Sequence, residues 1–429
     1  MCTNGTPIVD TLDHLPPVPL FIDYPMSWTA RAISSEDELA IYHALQLHDR
    51  VRRIELCVSP PALDKSLRVM DKPFPILEHL SLSFSWYNTS LTPLKIGPLF
   101  LAPNIRYLYL PGIRLPKRLR LLSSSLSLVT LKLTNIQASG YIRPRLLAAR
   151  LESLSQLEEL SIGFSTPIPR PSAERLLLGK EGTPVMLVNL KTFTFQGVSA
   201  YLERLISQIR APVLMELDIT FFNQLAFTLN HLSHFVNITE QIKFPRTATI
   251  HFNPGKSITL IHARREAPDY SYSRFTLKVM CKSLDWQIDC AAQICGALMS
   301  ALSGTENLII SRKRRSKRRS NSMREMLLVG TEEDETDDTI DPTTWHELLR
   351  LFVSVKELTT HNLSVALSRA LEVDEIGLDP GLLPDLQELV SDYRGEDADS
   401  LFGSFIHARQ FAGRPVSLRL PPPSPPPSP

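Results

Sequence analysis

Leu157-Glu158-Glu159-Leu160-Ser161-Ile162 is the stretch on which the reading of this chain turns. An apolar residue is followed by two variable ones, an apolar one, a single variable one, and an apolar one. The same order recurs at Val51-Arg52-Arg53-Ile54-Glu55-Leu56, Leu77-Glu78-His79-Leu80-Ser81-Leu82 and Ile105-Arg106-Tyr107-Leu108-Tyr109-Leu110. It returns at Leu128-Val129-Thr130-Leu131-Lys132-Leu133, Leu190-Lys191-Thr192-Phe193-Thr194-Phe195 and Leu214-Met215-Glu216-Leu217-Asp218-Ile219. The second anchors of these segments are 26, 28, 23, 29, 33 and 24 residues apart.

From the second anchor onward, alternate residues are apolar, which is the period of a strand. A strand repeated at this spacing falls in or just outside the range of leucine-rich repeats, about 20–29 residues. The expected fold is therefore α/β: an irregular leucine-rich-repeat-like solenoid, a curved parallel sheet with helices and loops on its convex side. Such an array binds along a surface rather than enclosing a pocket, so the expectation is a non-catalytic binding protein. The asparagine that usually follows the last anchor by three positions is missing. Those places hold Ser85, Ile113, Ile136, Ser165, Val198 and Phe222, so the turn carbonyls must find other donors.

The 429 residues carry a formal charge of +1, which gives no global field toward nucleic acid or membrane. Five cysteines at irregular spacing argue against a disulfide scaffold. The opening has no secretory pattern, and no stretch has the roughly 18 apolar residues of a membrane span. The expected localisation is intracellular, cytoplasmic and/or nuclear.

Along the chain, residues 1–50 read as an entry and capping segment. Ser34 or Ser35 ahead of Glu36-Asp37-Glu38 marks a helix start, with Leu39, Ile41, Leu45 and Leu47 as its apolar side. Residues 51–310 read as the solenoid. Within them, residues 199–210 form an apolar helical face of Tyr201, Leu202, Leu205, Ile206 and Ile209. Helices are also expected over 224–238 (Leu225, Leu229, Leu232, Phe235) and 285–302 (Trp286, Ala291, Ile294, Cys295, Leu298, Met299, Leu302). Strands are expected at Thr249–Phe252, Ser257–His262 and Phe275–Val279. Residues 311–342 read as a disordered insertion, basic and then acidic. Residues 343–412 read as further repeats and a cap, with Val355–Leu358 and Leu386–Leu389 as strands. Residues 413–429 read as a proline-rich tail.

The sharpest short motif is Arg312-Lys313-Arg314-Arg315-Ser316-Lys317-Arg318-Arg319, with seven basic residues in eight positions. It has the composition of a nuclear import signal. No aromatic residue interleaves with it, and seven acidic residues fall within 332–341. Nucleic acid is therefore not an expected partner. Cys281, Cys290 and Cys295 lack zinc-site spacing. No catalytic residue, cofactor site or metal site emerges from the histidines and carboxylates. The best candidates for recognition are the variable positions between anchors: Arg52, Arg53, Arg106, Tyr107, Lys132, Glu158 and Glu159. Their expected partner is a protein, with no membrane contact.

Six longer stretches, His43–Leu56 (HALQLHDRVRRIEL), Phe195–Ile206 (FQGVSAYLERLI), Phe221–Phe227 (FFNQLAF), Leu284–Gln287 (LDWQ), Trp345–Phe352 (WHELLRLF) and Ser404–Val416 (SFIHARQFAGRPV), resemble a family of mushroom-forming fungi. Its members are F-box or F-box-like proteins with leucine-rich-repeat-like C-terminal regions. The resemblance implies that the repeats hold the substrate of a cullin-type ubiquitin ligase. A helical F-box before the repeats would dock to the ligase adaptor. No F-box pattern is recognisable before Val51, so an adaptor is an expected partner only if an F-box lies upstream. The alternative is a solenoid scaffold unconnected with ubiquitin.

Overall fold

The computed structural model describes residues 2–3, 18–25, 33–84, 94–116, 120–167, 183–242, 246–253, 258–265, 273–281, 283–313, 342–372, 382–392 and 401–419. The chain divides into two compact units, residues 1–217 and 218–429. Each is α/β, with parallel strands alternating with helices. Among the described residues, no helix is long and apolar enough to cross a membrane.

In the first unit, β1 (Cys2–Thr3), β2 (Leu20–Tyr24), β3 (Val51–Val58), β4 (His79–Phe84), β5 (Tyr107–Tyr109), β6 (Thr130–Ile136) and β7 (Glu159–Phe164) pair in chain order, every pair parallel. Strand β8 (Val185–Met186) lies outside this sheet and pairs with β10 (Ile209–Arg210), while β9 (Thr192–Gly197) follows β7. Helices α1 (Ser35–Gln46), α2 (Pro60–Val69), α3 (Arg120–Ser124), α4 (Pro144–Leu151) and α5 (Ser199–Ile206) fall between the strands. The register lines up Ile22, Ile54, Leu80, Leu108, Leu131, Leu160 and Phe193 in one buried row. A second row holds Tyr24, Leu56 and Leu82, then Leu133, Ile162 and Phe195. Burying each such side chain contributes about 1.5–3 kcal/mol, so the rows hold the strands together.

A turn of one form precedes β4, β5, β6, β7, β9 and the strand at Glu216–Phe221. The N–H groups of Leu77, Ile105, Leu128, Leu157, Leu190 and Leu214 donate to the carbonyls of Phe74, Ala102, Ser125, Leu154, Leu187 and Ala211. Pro75, Pro103 and Pro212 stand second in three of these turns, where a fixed φ favours the bend. One residue after each anchor, backbone bonds step from repeat to repeat. Glu78 N donates to Arg52 O, Arg106 N to Glu78 O, Val129 N to Arg106 O, Glu158 N to Val129 O, and Lys191 N to Glu158 O. This ladder forms a rim at the strand starts.

The missing asparagines are replaced piecemeal. Ser165 bonds Ile136 O through both its N–H and its hydroxyl. Asn104 Nδ2 donates to Pro75 O at 2.7 Å and Asn189 Nδ2 to Ser155 O at 2.8 Å, both from the turn before a strand. In the second unit Asn362, at a φ of 59°, donates through Nδ2 to Arg312 O at 3.1 Å. Ser85 lies outside the described residues.

In the second unit the sheet order is β11-β14-β13-β12-β15-β16-β17-β18. The strands are β11 (Glu216–Phe221, within which the division falls), β12 (Thr247–Asn253), β13 (Ile258–Arg265), β14 (Ser273–Met280), β15 (Asn307–Arg312), β16 (Glu357–His361), β17 (Glu388–Ser391) and β18 (Ser417–Arg419). The three strands expected at 249–279 exist, but β12–β13 and β13–β14 are antiparallel. The wholly parallel sheet expected from the repeats therefore does not extend through them. Residues 254–257 and 266–272 are too few for a parallel crossover, which takes about a dozen. Beyond them the parallel order resumes, with Ala248, Leu308, Leu358 and Leu389 in one row.

Helix α1 starts where its acidic turn indicated, with Ser34 and Asp37 capping each other. Its buried stripe is Asp37, Ala40, Ile41, Ala44 and Leu45, whereas Leu39 is 62% exposed. The 3–4 spacing from Asp37 leaves Leu39 on the outer face. Helix α6 (Asn230–Ile238) begins later than the apolar spacing indicated, and Leu225 ahead of it is exposed. Helix α7 (Leu284–Ala297) ends at Leu298, followed by α8 (Met299–Leu302). Its inner stripe includes Leu284, Ile288, Ala291, Ile294 and Cys295, so Trp286 and Met299 lie half-exposed rather than inside. Helices α9 (Pro342–Leu349), α10 (Ser364–Ala370) and α11 (Gly403–Phe411) complete the unit, and Trp345, Leu348, Leu349 and Phe352 are all buried as their spacing requires.

Candidate functional site

The alternation that buries one face of the first unit's sheet presents the other. Register places Arg53, His79, Tyr107, Thr130, Glu159 and Thr192 side by side, one per strand from β3 to β9. The next row holds Glu55, Ser81, Tyr109, Lys132, Ser161 and Thr194. Most of these side chains are half-buried, with Ser161 nearly covered. Tyr107 and Tyr109 share this face because they are two apart on one strand.

The charges on the face are internally paired. Arg53 pairs with Glu55 on its own strand. Lys132 Nζ lies 2.7 Å from Glu159 Oε1 and 6.0 Å from the centre of the Tyr107 ring. His79 and Tyr107 stack with centroids 4.3 Å apart and planes 2° from parallel. Burial, then the Arg53 charge, pushes the His79 pKa down, so the imidazole stays neutral near pH 7. Burial pushes the Tyr107 phenol up. The centre of the face is thus a pair of neutral stacked rings among hydroxyls, with a self-neutralised ion pair at either side.

The seven recognition candidates separate into two sets. Arg53, Tyr107, Lys132 and Glu159 lie together on the face. Arg52, Arg106 and Glu158 lie on the rim, one position earlier. There Arg52 Nε is 3.0 Å from Glu78 Oε2, and Lys191 Nζ is 2.8 Å from Glu158 Oε2. The rim carries a shallow depression of about 460 Å³, lined by Ile76, Glu78, Asn104, Arg106, Ser127, Val129 and Gln156. His79, Ser81 and Thr130 also belong to the face, although they are not among the seven candidates. Their signal is positional, because they occupy the same register places as Arg53 and Lys132.

Of the import-type residues, Arg312 ends β15 opposite Phe252, and Lys313 N donates to Phe252 O at 2.9 Å. Arg314, Arg315, Lys317, Arg318 and Arg319 lie outside the described residues, as does most of the 311–342 segment. The second unit's open face holds His251, whose Nδ1 is 2.9 Å from Ser311 Oγ, and Asp218, 3.7 Å from both Arg274 and Lys278. Burial pushes the Cys295 thiol up to about 12, and Cys281 and Cys290 are buried beside one another. Among the described residues no three His, Cys, Asp or Glu side chains are grouped to hold a metal.

No family model, curated protein or solved structure matches the chain.

Proposed function

We propose that this chain is a non-catalytic protein-binding protein, built as an irregular leucine-rich-repeat-like solenoid, whose contact surface is the open face of the first unit. The observation that carries this reading is the cross-strand row Arg53–His79–Tyr107–Thr130–Glu159–Thr192. Side chains fixed on strands lose little entropy on binding, and a central pair of rings supplies contact area cheaply. The internal ion pairs leave that centre without net charge, which suits a protein surface of mixed polarity better than a polyanion.

A photo-cross-linking residue placed at Thr130 should capture a discrete partner in cells, and Tyr107→Ala should abolish the capture. The same residue at Ala149, exposed on α4, should capture none. Equal capture from both positions would overturn the assignment of the face.

The more specific role, substrate receptor of an F-box-type ubiquitin ligase, is supported by the family resemblance alone. It requires co-purification of a cullin adaptor with the product that includes any sequence upstream of Met1. The alternative, a scaffold unconnected with ubiquitin and entering the nucleus through 312–319, is supported by the composition of that run. Replacing its seven basic residues should then shift the protein to the cytoplasm.

A further inference from the structure

The rim of the first unit alternates in charge until one repeat interrupts it. Successive ladder positions are Arg52, Glu78, Arg106, Val129, Glu158 and Lys191. Arg52 is matched by Glu78 and Lys191 by Glu158. Arg106 should find its second acidic neighbour on the next strand, but that position is Val129. Among the described residues Arg106 has no ion-pair partner, and its side chain is exposed. It is also the cation that lines the 460 Å³ depression, with Ile76 and Val129 as apolar parts of the lining and Asn104, Ser127 and Gln156 as neutral polar parts.

We infer that this depression seats a carboxylate of the protein partner, an aspartate or glutamate flanked by an aliphatic side chain, with Arg106 as its anchor. The inference rests on the protein-binding reading above and names the chemistry that reading leaves open. Arginine offers a planar fork that matches a carboxylate with two parallel hydrogen bonds. Glu78 lines the same depression and repels a dianionic phosphate more strongly than a single carboxylate. A nucleic acid needs a track of cations, and here one cation stands between two pairs already neutralised. Ile76 and Val129 give the aliphatic neighbour apolar surface to cover. Because residue 106 precedes Tyr107 directly, one partner segment crossing from rim to face meets the anchor and the stacked rings together.

A random 15-residue peptide library displayed on phage supplies the probe. Selected on the wild-type chain, it should yield peptides with an acidic residue at a constant position beside an aliphatic one. Arg106→Ala should weaken the selected peptides about tenfold, and Arg106→Glu should abolish binding. Changing the peptide acid to its amide should cost the same factor, and combining it with Arg106→Ala should cost no more. Arg68→Ala on α2 serves as the control and should leave affinity within about twofold, because that residue pairs with Asp64 on its own helix and lines neither rim nor face. Thermal melting of each variant checks that it folds. Peptides without a constant acid, or peptides that bind Arg106→Glu as tightly as wild type, overturn the inference. If such peptides still lose binding on Tyr107→Ala, the face reading survives alone. If neither change matters, or no peptide is selected, both readings fall.

Discussion

Strand β6 reaches β7 through α4 and a turn, and the two run parallel. Strand β12 reaches β13 through residues 254–257, and the two run antiparallel. The apolar alternation of these strands is much the same in both units, so it does not set their direction. Connection length does, because a parallel neighbour requires the chain to return along the far side of the sheet. The units also differ in their inner rows. In the first, the row beyond the second anchor stays apolar through Leu56, Leu82, Leu133, Ile162 and Phe195. In the second, Ile250 and Ile310 give way to Thr360 and Ser391, both fully buried. At this row the first unit buries only side chains without hydroxyls on its described strands β3, β4, β6, β7 and β9, whereas the second buries two hydroxyls, of which Thr360 Oγ1 donates to Val390 O at 3.5 Å.

The largest effect that sharpens this contrast is expected from Leu131→Ala. It removes a fully buried anchor flanked by Leu108 and Leu160, and should cost about 2–5 kcal/mol. Hydrogen exchange should rise across β5, β6 and β7 together, since each strand supports its neighbours. Exchange confined to β6 would break the account of a shared core.

A smaller loss is expected from Arg409→Met in the second unit. Arg409 is 1% exposed, its Nη2 donates to Leu386 O at 2.9 Å and Pro384 O at 3.2 Å, and its guanidinium lies over the Phe405 ring. Burial, then the Arg414 charge, lowers its pKa. Methionine fills much of the volume but leaves two carbonyls without that donor, at about 1–3 kcal/mol. Denaturant unfolding that shows no loss would mean that water replaces the guanidinium freely.

The smallest effect is a pH dependence carried by one histidine in each unit. His79 and His251 both have pKa values held below the ordinary 6.5, chiefly by burial. Each takes up a proton more readily unfolded than folded, so stability is full above pH 6.5 and declines as pH falls through the folded-state pKa. His79→Phe preserves an aromatic ring against Tyr107 and should flatten that decline for the first unit while leaving the His251 contribution in place. An unchanged slope between pH 6.5 and 5 would remove His79 from the account.

Much of the sheet was legible because its signal is local. Ile54, Leu80, Leu108, Leu131, Leu160 and Phe193 announce themselves through apolar spacing, and register places them in a single row. Leu358 and Leu389 do the same despite the long segment before them. Tyr201, Leu202, Leu205 and Ile206 are buried as their helical spacing required, whereas Ile209, expected on the same helical face, is buried in strand β10 because the helix ends at Ile206. Strand β2 was not legible, because Leu20–Tyr24 sits among prolines with no second copy of the pattern nearby. Leu225 and Leu39 misled because apolar spacing says nothing about where a helix starts or which of two stripes turns inward. The separation of Arg52, Arg106 and Glu158 from Arg53, Tyr107 and Glu159 was also hidden. The residues are adjacent in sequence, and only the strand's starting point decides which belongs to rim and which to face.

The turn that opens each strand has a consequence for how such a chain tolerates change. It fixes where pairing begins, using backbone groups and one buried residue three places before the anchor. Material added upstream of that turn leaves the alignment of the following strand untouched. Leu308 and Leu358 stay partners across residues 313–354 just as Leu358 and Leu389 do across a shorter interval. Connecting segments can therefore lengthen, shorten or acquire new signals over generations while the surface presented by the strands keeps its spacing.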